Sequence, residues 1–77
     1  MQASEQIVYD WSRVVHKGIR TRDGHPIGNI AAEDGDMVTV LAPRSRVYSI
    51  PKSHVQKFDG SEVLIDLDLA DLRNYAK

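Results

Sequence analysis

Apolar and polar residues alternate in short bursts along most of this chain. Met37 to Ala42 puts Val38 and Val40 on one side and Thr39 on the other. Glu62 to Leu67 puts Val63, Ile65 and Leu67 on one side and Glu62, Leu64 and Asp66 on the other. A period of two marks a half-buried β-strand. The same reading gives a β-capable run from Val14 to Thr21, a return strand from Ile27 to Ala32, a strand from Arg46 to Ile50 with Tyr48 and Ile50 on one face, and a short segment from Val55 to Phe58. Asp23-Gly24, Glu33-Asp34-Gly35-Asp36 and Asp59-Gly60-Ser61 separate these runs. Asp-Gly tolerates the positive φ that tight hairpin turns require. Pro43-Arg44-Ser45 breaks the chain and Pro51 to His54 turns it.

Six short strands with near-regular turns predict an all-β fold, an antiparallel meander closed into a small barrel. Closure removes the exposed edges that invite aggregation. The expected core is Val14, Ile19, Ile30, Val40, Ile50, Val55, Val63 and Ile65. Gly24 is explained by turn geometry, and Gly28 by a bulge or close packing.

The ends read differently. Asp68 is a candidate cap for a short C-terminal helix, with Asp71 in its first turn and Arg73 and Lys77 later, the order the helix dipole favours. Leu69, Leu72 and Ala76 fall at helical spacing. Such a helix, of about nine residues, needs a surface to dock on. Ile7-Val8-Tyr9-Asp10-Trp11 fits a strand through Ile7, Tyr9 and Trp11, and a helical turn through Ile7, Trp11 and Val14 or Val15. The expected organisation is an N-terminal segment over 1–11, a barrel over 12–67 and a helix over 68–77.

The 77 residues make one domain with a thin core, since a chain this short buries little more than ~60% of its unfolded surface. Oligomerisation is a common supplement at this size, and a homodimer is expected. There is no cysteine, so disulfides and thiol zinc sites are excluded. Met1 to Gln6 has neither a basic nor an apolar stretch of the signal-peptide kind. No apolar run reaches the ~20 residues of a membrane helix. The expectation is a cytoplasmic protein without membrane insertion.

The net charge of −1 hides a sorting of charges. Arg13, Lys17, Arg20 and Arg22 form one run without acids, and Arg44, Arg46, Lys52 and Lys57 form another. Asp59, Glu62, Asp66, Asp68 and Asp71 form a run without bases. These are either ordinary solvated faces balanced across strands, or a basic surface that meets an acidic partner or the acidic strand of a second copy.

No motif carries catalysis. His16, His25 and His54 lack the spacing of a metal site. Asp34-Gly35-Asp36 lacks the further oxygen ligands of a calcium loop. Ser53-His54 has no orienting group for nucleophilic chemistry. Gly18, Gly24 and Gly28 precede no long helix that would make a phosphate loop. No enzyme activity and no cofactor is expected.

From about Val14 to Leu67 the chain resembles a PRC-barrel domain, the small β-barrel of the photosynthetic reaction-centre H subunit and of the C-terminal part of the RimM-type ribosome maturation factor. Val14-Val15, Ile19 and Asp23-Gly24-His25-Pro26-Ile27-Gly28-Asn29-Ile30 follow its apolar pair and D-G-x-x-I-G-x-V pattern. Tyr48-Ser49-Ile50-Pro51-Lys52-Ser53-His54-Val55 and Asp59-Gly60 follow its later strand, Ile-Pro turn and acidic-Gly turn. His16 stands where the family often has glycine, with Gly18 displaced by two. The long excursion between the third and fourth strands shrinks to Pro43–Ser45. The compact form resembles the free-standing PRC-like proteins of bacteria and archaea. The resemblance implies an interaction module or adaptor, with archaeal cell division as one setting; fold alone does not fix function.

Two functional expectations follow. The first is a protein-interaction adaptor. Its partner face is drawn from Arg44, Arg46, Tyr48, Lys52 and His54, with Trp11 as a further aromatic anchor. Its self-association face is drawn from Leu64, Leu69, Leu72 and Tyr75. The second is a small barrel that binds nucleic acid or the ribosome through Arg13, Lys17, Arg20, Arg22, Arg44 and Arg46. The negative net charge and the lack of aromatics among the basic strands count against it.

Overall fold

The computed structural model of this chain describes residues 10–77. Ile7-Val8-Tyr9, whose conformation the sequence leaves open, lies outside them. The described residues begin with a 3-10 turn, Trp11–Val14, capped by the Asp10 carboxylate, which accepts from the Ser12 N–H at 3.1 Å. The strands are β1 (Gly18–Arg20), β2 (Pro26–Asp34), β3 (Met37–Ala42), β4 (Arg46–Pro51), β5 (Val55–Phe58) and β6 (Glu62–Ile65). Only the end of the Val14 to Thr21 run is a strand, because Val14 belongs to the opening turn and His16 takes a left-handed φ of 73°. His16 is held there by its N–H, which donates to the Ile30 carbonyl at 2.6 Å. Glycine would adopt this conformation without steric cost.

One sheet contains all six strands, in the order β4-β3-β2-β1-β6-β5. Four of the pairings are antiparallel, but β1 and β6 run parallel, Ile19 opposite Val63. The expected all-antiparallel closed barrel is therefore corrected on two counts. A parallel seam joins β1 to β6, and the edge strands β4 and β5 do not pair with each other. These two edges are nonetheless consecutive in the chain, joined only by the 3-10 turn Lys52–His54. In a flat sheet they would lie about 24 Å apart. A link of this length spans at most about 14 Å. The sheet must curl, and it does so around an aliphatic core.

That core holds all eight residues expected from the sequence, joined by Ile27, Val38, Leu67 and Leu72. Val63, Ile65 and Leu67 face inward as the period-two pattern requires. The glycines of the three Asp-Gly turns have positive φ, 88° at Gly24, 53° at Gly35 and 96° at Gly60. Gly28 answers a different demand. A Cβ there would lie 2.1 Å from the Leu41 carbonyl oxygen, so β2 and β3 cross too closely for any side chain.

The C-terminal segment Leu69–Tyr75 winds as 3-10 turns, not as the expected α-helix. At three residues per turn, positions i and i+3 line up. Leu69, Leu72 and Tyr75 therefore share a side, and Ala76 leaves it to form a bridge with Tyr48. The Asp71 carboxylate accepts from the Asp68 N–H at 3.0 Å and fixes the start of this segment. The Lys77 N–H donates to the Val47 carbonyl at 2.9 Å, so the chain's own tail covers part of the β4 edge. At the other edge, β5 is short, bulged at Gln56 and carries the exposed Lys57, features that discourage strand addition.

Two consequences can be measured. Gly28→Ala forces β2 and β3 apart and should destabilise the fold by about 1–3 kcal/mol, read from the denaturant midpoint. Acid should also unfold the protein. Hydrogen bonds from the Ser12 hydroxyl, the Thr21 hydroxyl, the Ser61 N–H and the Arg22 guanidinium hold the carboxyls of Asp10, Asp23, Asp59 and Asp68 below their ordinary 3.8. Each depressed pKa contributes stability that is complete above the unfolded value and is lost as pH falls through the folded one. Thermal midpoints should hold steady from neutrality to about pH 5 and fall below pH 4, and Asp68→Asn should flatten that fall.

Candidate protein-contact groove

The connection from β3 to β4 is where the backbone is most constrained. Pro43 ends β3, and two consecutive non-glycine residues then take left-handed conformations, Arg44 at φ 65°, ψ 30° and Ser45 at φ 62°. The Arg46 N–H donates to the Pro43 carbonyl and closes the turn. Such residues each cost of order 1–3 kcal/mol and persist only where the surroundings demand them. The outcome is that Arg44 and Arg46 stand at an exposed rim.

Arg46, Tyr48 and Ile50 lie on one face of β4, and their exposure falls along it. Ile50 is fully buried, Tyr48 half-buried and Arg46 exposed. This face runs from the core to the mouth of the fold, where Leu69 and Leu72 cross it from the C-terminal segment. Leu72 is 2% exposed and belongs to the core, whereas Leu69 is 46% exposed. Between them a hollow of about 340 Å³ is lined by Pro26, Ile27, Ala42, Pro43, Arg44, Arg46, Tyr48, Leu69 and Leu72. A second hollow of about 480 Å³ lies beyond Arg46 and Tyr48, lined also by Ser45, Val47, Arg73, Ala76 and Lys77. Arg46 and Tyr48 are the wall common to both. Both hollows mix apolar and polar walls; the first carries Arg44 and Arg46, the second Arg46, Arg73 and Lys77.

His54 helps to hold the segment that forms one bank of this groove. Its Nδ1 lies 2.8 Å from the Asp66 carboxylate and its Nε2 lies 3.3 Å from the Tyr75 hydroxyl. A carboxylate at Nδ1 selects the tautomer that donates there, leaving Nε2 to accept from the phenol. The two rings meet edge to face with centroids 5.7 Å apart. The arrangement is a structural clasp between the turn before β5 and the C-terminal segment.

The expected partner face is thus only partly assembled. Arg44, Arg46 and Tyr48 come together. His54 sits in its clasp. Lys52 lies at the opposite end of β4, about 17 Å away along the strand, in an ion pair with Glu33 at 2.6 Å and over the Trp11 ring at 4.8 Å. Trp11 is half-buried there and packs on the core. The expected self-association face is dispersed. Leu72 is interior, Tyr75 engages His54, and Leu64 borders a separate shallow hollow with Arg20, Lys57, Asp59 and Glu62. Leu69 turns up in the groove instead, beside the arginines.

Sequence reading missed Arg73 and Lys77 as site residues. Both were visible as cations late in the last segment, but their position suggested only a favourable helix dipole. The reading of charges balanced across strands holds for part of the acidic run. Arg20 binds Glu62 at 3.0 Å across the parallel seam, and Arg22 binds Asp68 through two bonds of 3.0 and 2.8 Å. Among the described residues no ion pair involves Arg44, Arg46, Arg73 or Lys77. Nor do the described residues bring three histidine or acidic side chains together in a metal-binding cluster, and no described helix is long and apolar enough to cross a membrane.

No family model matches the chain, and no curated protein or solved structure matches it.

The strained turn gives a test that separates fold from site. Arg44→Gly removes the cost of the left-handed backbone and should raise the melting temperature, by about 4 °C for each kcal/mol recovered. The same variant removes a rim cation and should weaken capture of any acidic partner. A scanning melt and a binding assay on one preparation read both effects.

Proposed function

We propose that this protein is a non-enzymatic interaction module whose working surface is the groove between the Pro43–Ser45 turn, β4 and the Leu69–Tyr75 segment. The observation that carries the reading is the pairing of two partly apolar hollows with Arg44, Arg46, Arg73 and Lys77, none of them in an ion pair among the described residues. Partner faces combine apolar anchors, which supply affinity, with charges that steer and orient. Arg20, Arg22 and Lys52 each face an acidic partner within the fold. Arg13, Lys17 and Lys57, like the groove cations, have no ion-pair partner among the described residues, but they are not gathered at one hollow with them. Those at the groove hold nothing described here. The resemblance of residues 14–67 to PRC-barrel domains supports the same reading, as an adaptor within a larger assembly, with archaeal cell division as one setting.

Nucleic acid is the second reading, favoured by the same unpaired cations. Salt separates the two. Phosphate binding through several cations falls steeply as salt rises, whereas an interface with an apolar anchor keeps much of its affinity.

The test is capture from native lysate by the wild-type chain and by R44E/R46E, with bound proteins and nucleic acids both identified. The expected result is a defined protein retained at about 0.3 M salt by the wild type and lost by the variant, with unchanged melting behaviour. Retention of that protein by the variant overturns the assignment of this face. Recovery of nucleic acid alone, lost at moderate salt, replaces the adaptor reading with the second one.

A further inference from the structure

We propose that the groove takes an extended acidic segment of another protein, with one apolar side chain seated over Leu72 and flanking carboxylates on Arg46 and Arg73. This rests on the interaction reading above and assigns it a ligand class. The two hollows share the wall formed by Arg46 and Tyr48. Each hollow sets apolar walls beside arginines, so a ligand that fills both presents apolar and anionic groups in alternation. The first hollow, at about 340 Å³, is near the lower limit of pockets that hold small organic groups. It suits a single anchor side chain. Guanidinium groups match carboxylates through paired, planar hydrogen bonds, and two arginines flank the anchor position.

The mode of docking is also constrained. The Lys77 N–H already occupies the Val47 carbonyl on the β4 edge. The incoming segment is thus read through its side chains and does not extend the sheet. In an extended segment alternate side chains lie about 7 Å apart on one face, so an acid, an apolar residue and an acid spaced in this way reach the rim, the hollow and the second hollow. A nucleic acid would set phosphates on the cations, but its bases would find one aromatic ring in the two hollows, the half-buried Tyr48, where single-strand binders array several.

The experiment is selection of a random twelve-residue peptide display library on the wild-type chain and, in parallel, on R46E/R73E and R46Q/R73Q. Circular dichroism confirms that all three are folded; the substituted side chains are exposed, and the glutamine pair keeps the length without the charge. The expected result is enrichment of sequences with Asp or Glu on both sides of one Leu, Ile, Met or Phe. Affinity of the enriched peptides should fall by at least about tenfold on both variants. Enrichment without acids, equal enrichment on the variants, or no enrichment over background each overturns the proposal. The interaction reading falls separately, when lysate capture is insensitive to reversal of Arg44 and Arg46. Lysate capture that depends on those arginines, with no peptide enriched, leaves the adaptor standing with a folded partner and removes the linear segment. A wild-type chain that light scattering shows as a dimer lost in R46E/R73E makes a second copy the occupant, and also overturns it.

Discussion

The short link between β4 and β5 is the constraint on which the rest of this structure depends. Two strands at opposite edges of one sheet are joined by Lys52–His54 alone. The sheet has to roll up to bring them together, and its inner face becomes the core. The roll stops short of strand pairing, which leaves a seam. Leu72 and the tail fill that seam, through hydrophobic burial and the hydrogen bond from Lys77 to Val47. The candidate groove lies where the same C-terminal segment meets β4 and the Pro43–Ser45 turn. It exists because closure is made by a 3-10 segment laid over the gap and not by a continuous ladder.

Charge pairing decides which part of the surface is left to act. The parallel register of β1 and β6 places Arg20 against Glu62, and the chain beyond β6 places Asp68 against Arg22. These exposed pairs add little to stability individually. Their greater consequence is on the surface field. Arg20 and Arg22 of the first basic run are matched by Glu62 and Asp68 of the acidic run, while the four cations gathered at the groove have no ion-pair partner among the described residues. A chain with a net charge of −1 thereby presents a local basic face. The strained Arg44 and Ser45 backbone fits this picture, since strain tends to gather where function requires a fixed geometry.

The clasp of His54, Asp66 and Tyr75 shows how closely the groove is tied to the fold. It joins the turn before β5, the end of β6 and the C-terminal segment. The segment that carries Leu69 and Arg73 is consequently tied to the fold near its C-terminal end. Trp11, Lys52 and Glu33 make a comparable lock at the opposite end of the β3–β4 hairpin, which gives the tryptophan a packing role away from the groove.

The sequence by itself determined everything that depends on neighbours along the chain. Period-two alternation placed β3 at its observed bounds, the flanking turns bounded β5, and inward positions such as Val63 and Ile65 are buried because a strand has only two faces. The Asp-Gly turns were legible because positive φ is a local demand that few residues meet. Arg44, Arg46 and Tyr48 were legible as one unit because they are close in sequence. Only the tertiary structure decided the rest. The parallel pairing of β1 with β6 joins residues more than forty positions apart, and no local pattern encodes that choice. The 3-10 winding of Leu69–Tyr75 was set by packing, which turned Leu72 inward, placed Leu69 beside the arginines and sent Ala76 to the sheet edge. Which cations remain unpaired was fixed by those same long-range contacts, because an ion pair between distant strands exists only once the sheet has chosen its register.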